Sequence, residues 1–549
     1  MSTVGERLVE SWWDSQTERR YQQAFIQLLI SEGWRVLHNT RHSPIELGKD
    51  VLARSPNGEL YAFQLKGNPG TRITKTQAQA LIPQLLELID IPIPDLHRKH
   101  KEKHVSVLVT NGEIDEEAQL LLSLTAGRTS VPQCPCSRFE VWSRGDLLAR
   151  FIDKIGGIWP ASLEGTRIVL QIYASDGASI PDTGNVAELF RLTVGVPNSK
   201  MSSSEKSSRL SSLLLISEIV KAPWAEKNNH YSMFVISVLA ATFALRFSDN
   251  ASRAKMIEQY SYVILDHSTN LVLEARERNF EPGCTWAEHD ILAEVDIMAE
   301  RHRLVADCAA VMVLAECELA PDLRSYISAL LEKSLITPWL WGEAAVPGAI
   351  MRHWALRRID ATQRPDGILI AIGSALTAAA TGRGVSELPD PYHGFEACWA
   401  KREGRDADLD TSILFDKFRG RSWFLRPVFF LIAKRNWKGT CKGMWKSFSR
   451  IIHEDIQIPA IDFFTPTLAK TGTTTSRTFY SNTWPDLVGE AVNAGKCEFL
   501  DPHHRLSWLV AAYVSIVPYR AWTPVIMWLD DQLSKSWYSA GHLPPASEG

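Results

Sequence analysis

The sequence predicts an α/β domain over roughly the first 150 residues, followed by a large, mostly α-helical domain, in outline an irregular helical array. Three observations carry this. Short apolar runs, bounded by turn signals, alternate with helical stretches up to about residue 155. Beyond Leu210 the apolar residues recur at helical spacing almost throughout. At 549 residues the chain is also too long for one ordinary hydrophobic core.

The elements of the first domain follow in order. Ser15 to Glu32 reads as an amphipathic helix, with Tyr21, Phe25, Leu28 and Leu29 on one stripe and Gly33 ending the run. Trp34 to Leu37 and Asp50 to Arg54 are strand candidates. Ser55-Pro-Asn-Gly58 is a turn signal, so Leu60 to Lys66 returns as the second arm of a hairpin. Ile73 to Ile89 reads as a helix, Val105 to Thr110 as a buried strand, Glu113 to Leu124 as a helix, Phe139 to Trp142 as a last strand and Gly145 to Ile155 as a helix. The domain is expected to span 1–158, with a junction over 159–208 that contains one more strand-like run, Arg167 to Tyr173. The helical domain is expected over 209–549, with helical periodicity through Arg209–Leu245, Ala251–Glu277, Thr285–Glu318, Asp322–Leu335, Asp366–Ala380, Thr411–Lys434 and Arg505–Ser536.

A net charge of −4 excludes a polyanion-coating body, so any nucleic-acid site must be a local patch. The eight cysteines include no CxxC pair, which argues against a zinc ribbon and suits reduced thiols in the cytoplasm. The start, MSTVGERLVESWWDSQTERR, has no apolar core of a secretory signal. Ser232 to Leu245 is apolar but short of the ~20 residues a membrane span needs, so it reads as a buried helix and no membrane partner is expected.

The segment with chemistry is Glu46 to Gly67, ELGKDVLARSPNGELYAFQLKG. Gln64 and Lys66 are two apart on a strand and project from one face, while Phe63 and Leu65 take the other. A hairpin brings Asp50 opposite them. A carboxylate, an amide oxygen and an ammonium then converge at a sheet rim. Such a set can hold a hard divalent cation, and the lysine can serve an attacking water or a phosphate.

The G-x-D pattern, followed by an apolar strand ending Q-x-K, resembles the PD-(D/E)XK nuclease superfamily. The glutamine makes it similar to the Mrr-like restriction endonuclease branch. The helix ending LL-x-x-x-G before the motif, VSVLVTNG after it and the late FEVWSRGDLL fit the same order, over roughly residues 10–155. The resemblance implies a restriction-endonuclease-like fold and a metal-dependent (Mg²⁺ or Mn²⁺) endonuclease, with double-stranded DNA as substrate and a role in bacterial restriction or anti-phage defence. It implies Asp50 as the metal aspartate, Gln64 as the second ligand position and Lys66 as the catalytic lysine. The acid that completes such sites is open: Gln22 stands at the aligned position, and Glu18, one turn earlier, or Glu46 can take its place. Gln84, on the following helix, would support DNA binding or the lysine.

Arg72 and Lys75, just past the motif, are candidates for the DNA backbone. The basic run His97 to His104 reads first as a solvated loop, and Cys134 and Cys136 as loop thiols. The stretch Glu288, His289, Asp290, Glu294, Asp296, Glu300 and His302 lacks HExxH spacing and reads as a charged helix face. His503 and His504 read as helix cap and surface. Thr471 to Arg477 reads as a polar loop without the phosphate cradle of a nucleotide-driven motor. The helical domain is expected to sense, recognise or oligomerise, with a second copy or a defence-system protein as partner. The alternative is an inactive nuclease fold that binds nucleic acid or acts as a scaffold.

Overall fold

A computed structural model describes residues 9–39, 49–93, 102–155, 163–195, 201–247, 250–278, 292–333, 343–359, 366–380, 420–457, 463–464 and 474–538, apart from 11, 15, 175, 176, 178, 179, 496, 498, 499 and 501–503. The chain forms two compact units. One is Met1–Pro181 with Glu188–Asn229, the other Asp182–Ala187 with His230–Gly549.

The first unit is built on a five-stranded sheet of order β1-β2-β3-β5-β7. Helix α1 (Glu18–Ser31) leads into β1 (Arg35–Asn39), β2 (Val51–Arg54) and β3 (Leu60–Lys66). Short β4 (Arg72–Ile73) precedes α2 (Lys75–Asp90), then β5 (His104–Thr110), short β6 (Glu113–Ile114), α3 (Glu116–Ala126), β7 (Cys136–Trp142) and α4 (Arg144–Ile155). Strands β1, β2 and β3 are antiparallel, whereas β3, β5 and β7 run parallel through the helical crossovers. Both sheet faces are covered. Leu85 and Leu88 of α2 and Leu122 of α3 pack on Leu52, Leu60, Ala62 and Leu108. On the opposite face Phe25 of α1 meets Phe63 edge-on, and Trp34 and Trp142 complete an aromatic layer. The central strands are therefore apolar on both faces, as a doubly covered sheet requires.

Three further helices follow: α5 (Leu163–Tyr173), α6 (Thr183–Val194) and α7 (Ser203–Glu226). The expected strand at Arg167 to Tyr173 is thus a helix. Ile168, Val169 and Ile172 are buried at helical spacing, and the Tyr173 hydroxyl donates to the Ile219 carbonyl of α7. The stretch expected as a junction is accordingly largely helical, and the first unit takes in α5 and α7.

The second unit holds α8 (His230–Leu245), α9 (Asn250–Glu277), α10 (Leu292–Leu314), α11 (Pro321–Lys333), α12 (Val346–Ile359), α13 (Asp366–Ala380), α14 (Leu425–Lys434), α15 (Lys438–Phe448), α16 (Trp484–Asn493), α17 (His504–Ile516) and α18 (Thr523–Tyr538). Helix α8 is buried from Tyr231 to Leu245 all round, and no described helix is long and apolar enough to cross a membrane. The helical periodicity through Arg209–Leu245 is divided between two helices at Lys227–Asn229, where Asn228 takes a positive φ of 53°. Arg505–Ser536 is broken by the turn Pro518–Arg520. A small sheet of order β10-β9-β8 was not expected: β8 (Arg421–Ser422) lies inside the predicted Thr411–Lys434 helix, and β9 (Ile452–Gln457) pairs with β10 (Thr474–Phe479). Thr474 to Arg477 is therefore strand, not polar loop. Its threonines suit strands, and the partner that fixes it is distant in sequence.

Candidate active site

The hairpin register pairs Val51 with Phe63, which sets Asp50 beside Gln64 at the C-terminal end of β3. Asp50 N donates to the Phe63 carbonyl at 2.8 Å, so the pairing continues one residue past the strand. The Asp50 carboxylate is 7% exposed, and its Oδ2 accepts from Gln64 Nε2 at 2.7 Å and from the Leu65 amide at 2.6 Å. A carboxylate can only accept, so the Gln64 amide must turn its NH₂ toward Asp50. Its Oε1 then faces the other way and is buried with no hydrogen-bond partner. An orphaned buried oxygen costs about 1–3 kcal/mol.

Lys66 follows at the strand end, 18% exposed, with Nζ 3.7 Å from Glu18 Oε2. The same Glu18 oxygen accepts from the Gly67 amide at 3.3 Å. Glu18 opens α1, where a carboxylate is favoured by the helix dipole. Of the three residues considered as the completing acid, Glu18 is thus at Lys66. Gln22 is half-buried one turn further along α1, and Glu46 lies outside the described residues.

Tyr21 and Asn111 pin the frame. The buried Tyr21 hydroxyl faces two carbonyls, Lys66 at 3.2 Å and Val109 at 3.1 Å, and so spans the ends of β3 and β5. Burial, and then the charges of Glu18 and Asp50, push this hydroxyl well above its ordinary value, so it stays a protonated donor. Asn111, fully buried, donates to the Trp13 and Gln16 carbonyls and accepts from the Asn68 amide at 2.8 Å. Glycine is required at Gly67, where a Cβ would lie 2.4 Å from Glu18 N, and at Gly112, where it would lie 2.6 Å from Asn68 Cβ. Sequence reasoning missed both pins. Tyr21 was counted as an apolar stripe residue, and the Asn-Gly after β5 carries only a turn signal.

No protein-family model matches the chain, and neither a curated protein nor a solved structure does.

The site therefore stands on its own chemistry. Among the described residues no group of three or more His, Cys, Asp or Glu side chains is arranged to hold a metal ion. Gln64 Oε1 joins the Asp50 carboxylate as a donor only when the amide turns over, since here its NH₂ faces Asp50. Asp50 and Gln64 Oε1 are hard oxygen ligands of the type Mg²⁺ and Mn²⁺ take, and the orphaned Oε1 is a position a cation would satisfy. The residues present fit such an ion.

The other candidates lie apart from this cluster. Arg72 and Lys75 are exposed and paired with Asp115 at 3.8 Å and Glu117 at 3.4 Å. Gln84 is exposed on α2. The basic run lies mostly outside the described residues, but its last member, His104, is a core residue of β5 bonded to the Leu88 carbonyl at 3.0 Å. Cys134 and Cys136 are buried against Ile89; Cys134 stands in the loop before β7, as expected, whereas Cys136 belongs to the strand, and both are core thiols. Lys49, beside Asp50, is buried and reaches the Glu87 carbonyl at 3.3 Å. The acidic stretch from Glu288 to His302 and the pair His503 and His504 fall outside the residues whose side chains are described.

Proposed function

We propose that the first unit is a nuclease of the PD-(D/E)XK kind that hydrolyses phosphodiester bonds in double-stranded DNA with Mg²⁺ or Mn²⁺. The observation that carries this reading is the Gln64 Oε1: a buried, unpartnered hard oxygen, held by Asp50, two residues from a lysine on the same strand face. With its amide turned over from the orientation that donates to Asp50, Gln64 would hold the ion together with Asp50, and the ion when bound would acidify a water and offset phosphate charge. Lys66 orients the attacking water or neutralises the scissile phosphate. Glu18 fixes where the Lys66 ammonium rests and lies within reach to add a carboxylate. A role as effector in bacterial restriction or anti-phage defence, with the second unit sensing a target or binding a partner or second copy, rests on the family resemblance alone.

A second reading, a non-catalytic nucleic-acid-binding scaffold, has one observation in its favour. Glu18 is engaged with Lys66 and the Gly67 amide, and Gln22 holds the position where the family carries an acid. Calorimetric titration of Mn²⁺ into the full chain separates the two. The nuclease reading predicts saturable binding that falls at least about tenfold, roughly 1.4 kcal/mol, in Asp50→Asn and in Gln64→Met. Absence of metal binding, or equal binding by both variants, contradicts it.

A further inference from the structure

Helix α15 carries Lys438, Lys442 and Lys446, one every fourth residue, and Arg450 stands in the turn that follows. Each step of four turns only about 40° around a helix, so the three lysines share one face, spaced about 6 Å apart along the axis. All four cations are exposed, and none makes an ion pair or a side-chain hydrogen bond. No acidic residue occurs between Lys438 and Arg450 in a chain whose net charge is −4. The neighbouring charges are already matched: Lys434 and Arg435 with Asp530, Arg426 with Asp455 and Glu490, and Arg421 with Glu454. The stripe is thus an uncompensated positive edge.

A second feature lies beside it. Gly443 sits in the interior of the same helix, where glycine is a poor helix former, and Gly439 in its first turn. A Cβ at either would meet nothing within 4 Å, so packing within the fold does not require them. With Ser447 they make a row of small residues beside the lysines, where a partner's backbone can come close to the helix. The side of α15 that adjoins the lysine row is spent inside the unit: Cys441 and Phe448 are buried, Phe448 stacks on Phe429 with centroids 4.1 Å apart, and Trp445 meets Tyr480 and Trp484. An interfacial membrane helix needs its apolar face for the bilayer, and here that face is occupied.

We propose that this face of α15 binds the phosphate backbone of duplex nucleic acid. It is a contact in the second unit, separate from the chemistry at Asp50 and independent of it. The cations fit a polyanion that carries one charge about every 3.4 Å along each strand, and the glycines let the backbone approach. Phosphate contacts of this kind position a duplex without reading its sequence.

The test is fluorescence anisotropy of a labelled 25-base-pair duplex with the full chain in EDTA, across a salt series, so that neither metal binding nor cleavage at the first unit enters. The wild type is compared with Lys438→Gln/Lys442→Gln/Lys446→Gln, and unfolding midpoints check that the exposed substitutions leave the fold intact. The triple variant should bind at least about tenfold more weakly, and the slope of log affinity against log salt should fall by about 3. Gly439→Ala/Gly443→Ala should raise the unfolding midpoint yet weaken binding, a trade-off that a merely solvated face would not show. Unchanged affinity and slope in the triple variant overturn the proposal. So does a wild type that ignores the duplex but binds phosphatidylserine vesicles, which would make the face a membrane contact.

Discussion

Gln64 is the residue on which the chemistry turns. Its NH₂ is committed to Asp50, so its oxygen is buried without a partner, and on the proposed reading a hard cation would take that oxygen. Gln64→Glu tests this through stability. Without metal, two carboxylates would then meet where a 2.7 Å hydrogen bond now stands, and the variant should lose about 1–3 kcal/mol. Millimolar Mg²⁺ should restore its unfolding midpoint by binding the folded state. A variant that metal does not rescue would mean the cluster is no cation site. That Asp50 faces Gln64 across the hairpin was legible in the sequence, because hairpin geometry alone sets them opposite. The Gln64 orphan was not, because amide orientation depends on the partner across the hairpin.

Among the elements, the end of β3 is held by what packs on it. Helix α1 presses its first turn onto Gly67, and Asn111 ties the following loop to the carbonyls of Trp13 and Gln16. Gly67→Ala must push α1 away from Lys66. It should destabilise the first unit by about 1–3 kcal/mol, read by denaturant titration, and lower activity more than a distant substitution of equal cost. Unaltered stability would show that α1 does not bear on the strand end. Element order up to Ile155 was readable, since the apolar runs there are bounded by turns. Leu60–Lys66 and Asp366–Ala380 stand at the very residues their patterns predicted. Arg167–Tyr173, and the part of Thr471–Arg477 that forms strand, were misread because a short run of β-branched or apolar residues takes helix or strand from its partners, and those partners are distant in sequence.

Across the whole molecule, stability should carry a signature of the second unit's buried polar groups. His453 is 1% exposed, with Nε2 at 2.9 Å from the Phe448 carbonyl. Burial holds it down at about 4, with Arg426 acting in the same direction against the Phe448 hydrogen bond. Its folded value lies below its unfolded one. Between pH 6.5 and 4 the unfolded chain therefore binds the proton first, and stability falls as pH falls. The loss should reach about 3 kcal/mol at the acid end, and His453→Gln should flatten it in urea titrations over that range. Asp530 acts in a lower window. Burial would raise it, but Arg435 and Lys434 outweigh that and hold it below the ordinary carboxylate range, so its contribution is lost only under stronger acid. An acid limb unchanged in His453→Gln would assign the effect elsewhere.

The most direct test of the central claim is cleavage. Supercoiled and linear double-stranded DNA are incubated with the full chain in Mg²⁺ or Mn²⁺, alongside Asp50→Ala and Lys66→Ala. The wild type should cut, and each variant should fall by at least about 100-fold, the scale on which one transition-state group is worth some 3 kcal/mol. Cutting that survives both substitutions would contradict it and place the activity outside the Asp50–Gln64–Lys66 cluster.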